Sequence, residues 1–288
     1  MSIFPLRILG GQAASPIVII DSNYIAHRAM WTIGDLSYNE CPTGVLYGFV
    51  LQIKKIRKLF PASSKIIFTW DSRSNVRKEV YQEYKAHRKN DSVTPEETAR
   101  KESFYQQMEI LRPEVLEPLG YKNHIKVEGF EADDIIASLS LWASTRSDIS
   151  EAFIVSSDHD LYQLLDKAIL FQPHTGRNYT AEHLAQEWDV LPSQWAQVLA
   201  IAGCDGDGVP GVMGVGISTA AKYVTGKKIR PTQFTSIQRA KRMIERNMKL
   251  VSLPFGGRDL VPPGFNPLTH KDLPEGKERV KEQFGINI

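Results

Sequence analysis

Short apolar runs that end on an aspartate recur along the chain. PIVIID ends at Asp21, KIIFTWD at Asp71 and AFIVSSD at Asp158. Each run has the length and apolar character of a buried strand, and segments of helical character lie between the runs, such as 44–60 and 132–144. Strands that alternate with helices predict an α/β fold with a mostly parallel central sheet flanked by helices.

The strand-end aspartates are predicted to meet at one edge of this sheet, because parallel strands present their carboxyl ends on the same side and ligands gather there. The segment GFEADDIIASL (129–139) opens a helix with three carboxylates that can project into the same crevice. Taken alone, this segment is more readily explained as an acidic helix start favoured by the helix dipole. The acidic residues expected at this edge are Asp21, Asp71, Glu131, Asp133, Asp134, Asp158 and Asp160.

Composition describes an ordinary globular chain. It has 288 residues, of which 42% are hydrophobic and 24% charged. The two cysteines have no metal-type spacing and suit a reducing cytoplasm, where we expect the protein to act. Residues 1–15 are a poor signal peptide and are expected to form a tail. No apolar stretch approaches the roughly 18 residues of a membrane span, so no membrane association is expected, and a monomer is the default.

The net charge of +2 conceals two basic stretches. Residues 73–89 hold six Lys or Arg against two Glu, and residues 222–249 hold nine against one. Such stretches indicate a polyanionic partner, because Lys and Arg gain affinity by releasing counterions from phosphate backbones. Two solvated helix faces explain the same composition equally well.

The carboxylate cluster predicts a site for hard cations. Oxygen ligands select Mg²⁺, with Mn²⁺ as a substitute, and no histidine is spaced as a softer ligand. The cluster is larger than one octahedral ion that keeps several waters requires, so two ions are expected. Paired divalent ions serve hydrolysis of phosphate esters. The chain shows neither a Ser or Cys nucleophile with its base nor a P-loop, which favours hydrolysis by water.

A glycine-rich block at 200–224 follows the acidic segments. Its core, GVMGVG (211–216), resembles the hairpin of helix-hairpin-helix elements, in which glycines let backbone N–H groups approach a phosphate. A helix start after it would add its dipole to phosphate binding. The candidate DNA-binding residues in this block are Gly211, Gly214, Gly216, Ser218, Thr219 and Lys222.

Five motifs in order resemble one known family. IIDSNYIAHRA, FTWDSRSNVRKEVYQEYKAHR, GFEADDIIASL, VSSDHDLYQLL and GVPGVMGVG are similar to motifs of the 5′ to 3′ exonuclease and flap endonuclease family. That family includes the 5′ nuclease domain of bacterial DNA polymerase I and stand-alone bacteriophage enzymes. The resemblance covers residues 16–250 and implies a PIN-like nuclease core with a helical arch and a DNA-binding subdomain of the helix-hairpin-helix type.

The resemblance also implies roles for individual residues. The seven acidic residues named above match the family's metal ligands, as does Asp207. Arg77, Lys85 and Arg88 match basic residues of the arch that hold the scissile phosphate, and Tyr84 matches an aromatic that stacks on a base near the cut. The hairpin matches the element that grips duplex DNA and binds a K⁺ ion through carbonyl groups.

One departure from the family pattern affects the second metal site. Cys204 stands where the family has its first aspartate of this block, and Asp207 stands at the second. Cysteine is a poor Mg²⁺ ligand. The adjacent Asp205 is the candidate substitute. Ser218 is a milder departure, since the family often has Lys there.

These inferences predict a Mg²⁺-dependent, structure-selective 5′ nuclease that acts on branched or 5′-ended duplex DNA in replication or repair. The predicted organisation is a nuclease core at 16–185 with an arch near 73–110, a DNA-binding part at 186–250 and a C-terminal segment at 251–288. Two alternatives stay open: a branched-DNA binding protein with weakened cleavage, and a ribonuclease of the PIN type.

Overall fold

A central sheet organises the molecule, as a computed structural model describes it for residues 14–72, 75–87 and 94–287. In chain order the strands are β1 (Ser15–Asp21), β2 (Ser37–Tyr38), β3 (Cys41–Pro42), β4 (Lys65–Trp70), β5 (His124–Lys126), β6 (Ile149–Val155), β7 (Ile169–Gln172) and β8 (Arg177–Tyr179). Six of them form one sheet in the order β5-β4-β1-β6-β7-β8, and β2 and β3 form a separate hairpin.

The described residues also form a series of α-helices. They are α1 (Ser22–Ile33), α2 (Gly44–Arg57), α3 (Arg77–Val80), α4 (Pro95–Ile110), α5 (Ala132–Ser144), α6 (Ala181–Trp188), α7 (Pro192–Ala202), α8 (Ile217–Val224), α9 (Pro231–Arg239), α10 (Lys241–Val251) and α11 (Pro274–Phe284). None of the helices in the described ranges is long and apolar enough to cross a bilayer.

The strand order creates a switch point beside β1. All neighbouring pairs in the sheet are parallel except β7 with β8. After β1, the next two strands of the sheet, β4 and β5, lie on one side of β1. The chain then crosses to the other side of β1, where β6 and β7 lie. Loops that leave β1 and β6 therefore diverge and open a crevice at the carboxyl edge, the usual ligand position in such sheets. The predicted mostly parallel sheet flanked by helices is confirmed.

Successive side chains of β1 point alternately into two separate layers of the core. Ile17 and Ile19 pack on one face in a cluster that includes residues of α5, whereas Val18 and Ile20 pack on the other face with residues of α1 and α2. Successive side chains of a strand point to opposite faces, so a strand buried on both sides is apolar throughout. The β1 strand is thereby fixed between two cores, which holds its last residue, Asp21, in a defined place.

The two helices after β1 run in opposite directions. Gln52 of α2 donates to the carbonyl of Ile25 near the start of α1, while a side chain at Gly44 would collide with the carbonyl of Ile33 at the end of α1. Because α2 returns the chain to the amino end of β4, it descends along the sheet. The antiparallel α1 therefore rises away from the carboxyl edge, above the crevice.

A helical part follows the sheet. The α7 helix packs against α8 and α10, and residues 203–216 connect α7 to α8. Gly211 has to be glycine, because an added side chain would lie 1.8 Å from the carbonyl oxygen of Ala202. The domain boundaries stay a prediction, and Arg88 and most of the proposed tail at 1–15 lie outside the described residues.

Candidate metal centre and nucleic-acid interface

The carboxyl edge of the sheet positions three of the predicted aspartates. Asp21 ends β1 and caps α1, where its carboxylate accepts a hydrogen bond of 3.0 Å from the backbone of Tyr24 and one of 2.8 Å from the Ser156 hydroxyl. Asp71 follows β4 and accepts from the backbone of Ala132 at 2.8 Å. Asp158 follows β6 and caps the short helix that starts at His159.

These aspartates line a pocket of about 580 Å³ together with residues of α1, α5 and the loop after α7. A second pocket of about 450 Å³ adjoins it on the side of the glycine-rich hairpin at 211–216. This pocket is lined by Asp160, Cys204 and Asp205. Both pockets share Asp158, His159 and Asp207. The carboxylates that line the first pocket are Asp21, Asp71, Glu131, Asp133, Asp158 and Asp207.

Burial and the crowding of carboxylates raise several pKa values in this region. Burial, with Asp71 and Asp158 nearby, raises the pKa of Asp21 from 3.8 to about 7. Burial and the charges of Asp158 and Asp207 raise the pKa of Asp160 to about 8. The pKa of Asp133 is also raised well above its ordinary value, by burial and then by its acidic neighbours. The cluster thus resists full ionisation at neutral pH unless a cation relieves it.

The donor set fits hard divalent cations held partly through water. All the acidic donors are oxygens, which Mg²⁺ prefers. Within the described ranges no three Asp, Glu, His or Cys side chains converge as the direct ligands of one ion would. Because Mg²⁺ keeps several waters and takes one or two carboxylates directly, roomy acidic pockets suit it better than a tight protein cage.

Lys85 is the one cation among the residues that line the first pocket. Its ammonium contacts the Glu131 carboxylate and lies 3.4 Å from an Asp207 oxygen. Burial alone would lower the pKa of Lys85, but these two carboxylates outweigh it and raise that pKa, so the ammonium stays charged. Lys85 has a left-handed backbone (φ +55°), whose N–H donates to the Asp207 carbonyl. Such strain in a non-glycine residue is typical of functional sites.

The structure corrects the predicted roles of Asp134 and Arg77. Asp134 is fully buried, and its two oxygens lie 2.6 and 2.8 Å from the two terminal nitrogens of Arg77. Arg77 is only 2% exposed and also donates to the carbonyl of Leu250. Neither residue lines an acidic pocket. A bidentate pair of this kind anchors α5 to α3 and α10, so we assign both residues a structural role instead of metal or phosphate binding.

Tyr84 is likewise placed differently from the prediction. Its ring is buried, with 2% exposed, and is therefore not available to stack on a DNA base. Its hydroxyl lies 2.8 Å from Glu131 and 2.9 Å from Asp207. Burial and these two carboxylates raise the pKa of Tyr84, so the hydroxyl stays protonated as a donor. Tyr84 therefore supports the pocket wall from behind.

Cys204 lies inside the second acidic pocket, with its sulfur 4.0 Å from an oxygen of Asp160. Burial and the surrounding carboxylates raise the pKa of Cys204, so in the metal-free protein it is a neutral thiol. The adjacent Asp205 is exposed and lines the same pocket. Asp205 is therefore placed where it can supply the charge that Cys204 lacks.

The hairpin presents its predicted phosphate-binding groups to solvent. Gly214 has a left-handed backbone (φ +76°), Gly216 caps α8, and Ser218 and Lys222 are exposed. Thr219 and Lys222 line a basic pocket of about 560 Å³ with Lys228 and Arg230. The first turn of α8 and these cations form a surface suited to phosphates. The predicted K⁺ ion at the hairpin stays a prediction.

Several residues of the site were missed by sequence reasoning. Asn75 donates to Glu131 at 2.8 Å, and Ser156 donates to Asp21. Asn23 and His27 of α1 line the first pocket. The position of Asn23 and His27 within two turns after Asp21 is a signal that helical spacing could have supplied. Asn75 gives no such signal, because it reaches Glu131 across 56 residues.

The raised pKa values predict how the metal-free protein responds to pH. Folded Asp21 and Asp160 keep their protons up to about pH 7 and 8, whereas the unfolded chain releases them near pH 4. Between these limits the folded state binds more protons, so its stability falls as pH rises, by up to about 1.4 kcal/mol per pH unit for each group. We expect the melting temperature in chelator to fall from pH 5 to 8 and the fall to shrink in Mg²⁺. Equal slopes in both buffers would contradict this account.

Comparison with known proteins shows the family. The family model for the N-terminal resolvase-like domain of 5′-3′ exonucleases matches residues 16–189. A 5′-3′ exonuclease of Buchnera aphidicola subsp. Schizaphis graminum is 30% identical over 243 residues, which are 83% of this chain and 77% of the relative. The thermostable DNA polymerase I of Thermus thermophilus is 30% identical over 72% of this chain, which spans only 24% of that polymerase.

Solved structures share the fold. The T5 5′-exonuclease with bound zinc has a TM-score of 0.70 and 21% identity, over 83% of this chain and 90% of that one. A bacteriophage T5 flap endonuclease complex with DNA and metal ions has a TM-score of 0.69 and 20% identity, over 92% and 98% of the two chains. The catalytic core of Rad2 with DNA substrate has a TM-score of 0.58 at 13% identity, over 95% and 88%.

Proposed function

Because the chain belongs to the 5′-3′ exonuclease family and is a nuclease, we propose that it is a Mg²⁺-dependent, structure-selective 5′ nuclease that hydrolyses DNA phosphodiesters. The observation that carries this proposal is the pair of adjoining acidic pockets that share Asp158 and Asp207 at the switch point of the sheet. Two adjoining carboxylate pockets suit two divalent ions.

We assign the ligands of the two ions by pocket. Asp21, Asp71, Glu131 and Asp133 would serve the ion of the first pocket, and Asp160 with Asp205 that of the second. Asp158 and Asp207 face both pockets. When bound, such ions polarise the phosphodiester and lower the pKa of an attacking water. The Ser156 hydroxyl and the backbone of Ala132 orient the carboxylates of Asp21 and Asp71 in these roles.

Lys85 would stabilise negative charge on the scissile phosphate. Its ammonium is charged and is held at the pocket wall by Glu131 and Asp207. A fixed positive charge beside a reacting phosphate costs no reorganisation when negative charge develops. Arg88 remains a candidate for the same task on the strength of the family resemblance alone.

The helical part would hold the duplex. Exposed Ser218 lies in the first turn of α8 and exposed Lys222 in its last turn. Further cations follow along 227–249, in the segment between α8 and α9 and on α9 and α10. A related T5 flap endonuclease has been solved with DNA and metal ions, which supports this assignment. The polymerase I relatives support a role in replication or repair. We further propose that the protein acts as a monomer in the cytoplasm.

A substrate panel tests the proposal. The protein is incubated with end-labelled 5′-flap DNA, blunt duplex, single-stranded DNA and single-stranded RNA in Mg²⁺, in Mn²⁺ and in chelator. We expect cleavage of the 5′-flap and 5′-ended duplex in either metal and none in chelator. Binding of the flap without cleavage would instead support a branched-DNA binding protein. Cleavage of RNA alone would support a PIN-type ribonuclease.

Restoring the family's aspartate at position 204 is expected to strengthen metal binding. Cys204→Asp adds a carboxylate to the second pocket, and the affinity of a cation site rises with the charge of its ligands. We expect half-maximal cleavage at a several-fold lower Mg²⁺ concentration, with Cys204→Ser as the uncharged control. An unchanged Mg²⁺ dependence in Cys204→Asp would mean that Asp205 already supplies this charge in full.

A further inference from the structure

A recess with an apolar floor lies at the amino end of the sheet, opposite the acidic pockets. It has a volume of about 290 Å³ and is bounded by the end of α2, residues 119–121 and the start of α11. The α2 helix leads the chain to the amino end of β4, whereas Asp71 follows the carboxyl end of that strand. Because β4 has six residues, the recess lies about 20 Å from the acidic edge.

The floor of the recess is part of the protein core. Four apolar residues form it, each less than a tenth exposed and packed in the core layer next to α1 and α2: Val50, Phe60, Leu119 and Tyr121. The Phe60 ring packs against Phe153 of β6 with centroids 5.0 Å apart, and the Tyr121 ring stacks on His270 at 4.0 Å. These contacts fix the shape of the recess, so a ligand does not have to order its walls.

Positive charge surrounds this floor. Exposed Lys54 and Lys58 and half-buried Arg57 lie at the end of α2, and Lys277 lies on α11. The dipole of α2 favours cations at its end and is a sufficient reason for the first three. It does not explain Lys277, which lies close to the start of α11, where a helix dipole disfavours a cation.

A carboxylate of the chain itself shows that the rim binds acidic groups. Asp272 accepts a hydrogen bond of 3.1 Å from Arg57, and its carboxylate lies 3.2 Å from the Lys277 ammonium. Burial alone would raise the pKa of Asp272, but the hydrogen bonds from these cations outweigh it and lower that pKa to about 2. Among the lining residues, this one carboxylate faces four cations, so the rim keeps a net positive charge.

An apolar floor under a basic rim selects an occupant that is apolar at one point and acidic around it. Sites that enclose a whole small molecule start at about 300 Å³, so a recess of about 290 Å³ better matches one large side chain. A DNA strand is acidic, but its bases carry polar edges that an apolar floor leaves unpaired. A peptide supplies both groups, an apolar anchor and charged neighbours at the rim.

We propose that this recess is a docking site for an acidic segment of a partner protein, which inserts one large apolar side chain between α2 and α11. Carboxylates beside that side chain would contact Lys54 and Lys58. In the described ranges the recess shares no lining residue with the acidic pockets, so the proposal does not rest on the nuclease function. A partner bound there would leave the acidic pockets open to DNA.

Fluorescence anisotropy with labelled peptides tests the site. The first peptide has one phenylalanine between two pairs of aspartates, the second has alanine instead of the phenylalanine, and the third has serines instead of the aspartates. We expect saturable binding of the first peptide to wild type, and binding about 10- to 100-fold weaker for the second, as loss of one buried phenylalanine predicts. The third peptide should also bind more weakly, and salt should weaken binding of the first.

The α2 helix offers a matched pair of charge variants. Lys54→Glu reverses a charge of the rim, whereas Lys55→Glu makes the same change at the next residue, which does not line the recess. Successive helical side chains point about 100° apart, so the two changes face different surroundings. We expect Lys54→Glu to weaken binding of the first peptide by about three- to tenfold, and Lys55→Glu to change it by less than about twofold.

A second pair of variants tests the recess itself. Ala62 is exposed at its edge, so Ala62→Phe can fill the recess with a ring without disturbing the core. We expect this variant to lose binding of the first peptide, and Ala62→Ser to bind it as wild type does. Flap cleavage in the absence of peptide should be unchanged in all four variants.

The proposal is overturned if wild type shows no saturable binding of the first peptide, or if Ala62→Phe binds it with full affinity. Equal losses in Lys54→Glu and Lys55→Glu would also overturn it. If single-stranded DNA displaces the peptide and binds more weakly to Lys54→Glu than to Lys55→Glu, the recess is a nucleic-acid site instead. Failure of the nuclease function is a separate result, in which wild type cleaves no 5′-flap DNA in Mg²⁺.

Discussion

Asp133→Asn is expected to lower Mg²⁺-dependent cleavage of a 5′ flap by about a thousandfold. Asp133 lines the first pocket, where burial opposes its charge most strongly, followed by the charges of Asp158 and Asp21. Loss of one ligand weakens the hold on an ion whose Lewis acidity contributes several kcal/mol to the transition state, and each 1.36 kcal/mol is a factor of ten in rate.

The same change should stabilise the metal-free fold. The amide that replaces the carboxylate carries no charge, so neither the burial cost nor the repulsion that together raise the pKa of Asp133 applies to it. We expect the melting temperature in chelator at pH 8 to rise by about 2–4 °C, the shift that roughly 1 kcal/mol produces in a protein of this size. Binding of flap DNA should be retained. If Asp133→Asn cleaves the flap at the wild-type rate, Asp133 has no role in the reaction.

Asp134→Asn, one residue further on, is expected to have the opposite effect on stability. Its carboxylate is fully buried against Arg77 and also accepts from the backbone of Phe255 at 2.8 Å. Removing one partner of a buried ion pair leaves the other charge uncompensated and costs about 3–5 kcal/mol. The melting temperature should therefore fall by about 6–20 °C, as thermal unfolding followed by circular dichroism would show.

The response of Asp134→Asn to metal distinguishes the two roles. Because Asp134 does not line an acidic pocket, folded Asp134→Asn should cleave at reduced temperature with the Mg²⁺ dependence of wild type. The double variant Arg77→Met with Asp134→Leu should be more stable than Asp134→Asn, since it leaves no unpaired buried charge. A normal melting temperature combined with a higher Mg²⁺ requirement would restore Asp134 as a ligand.

Much of the site followed from the sequence because one topological rule governs it. Asp21, Asp71 and Asp158 each follow an apolar run of strand length, and parallel strands bring such ends to one edge. The switch point beside β1 then concentrates them in a single crevice. No knowledge of side-chain packing was needed to place these three residues.

The direction of individual side chains could not be predicted in the same way. Helical spacing correctly makes Glu131 and Asp134 neighbours, and the Asp134 carboxylate does accept from the Glu131 backbone at 3.2 Å. Spacing does not say which side of the helix start faces the pocket. That choice depends on Arg77, which reaches Asp134 across 57 residues and also donates to the Leu250 carbonyl, 173 residues away along the chain. The position of the Tyr84 ring likewise depends on residues distant in sequence, since its hydroxyl contacts Glu131 and Asp207.

Titration of the metal-free protein with Mn²⁺ tests whether bound ions carry out the cleavage, because bound ions and flap cleavage can be followed in one sample by electron paramagnetic resonance and product analysis. We expect cleavage to be absent in chelator and to rise with occupancy of two Mn²⁺ sites, and we expect Asp133→Asn to lose ion binding and cleavage together. Cleavage that persists in chelator, or that appears in wild type without bound Mn²⁺, would contradict the proposed two-ion mechanism.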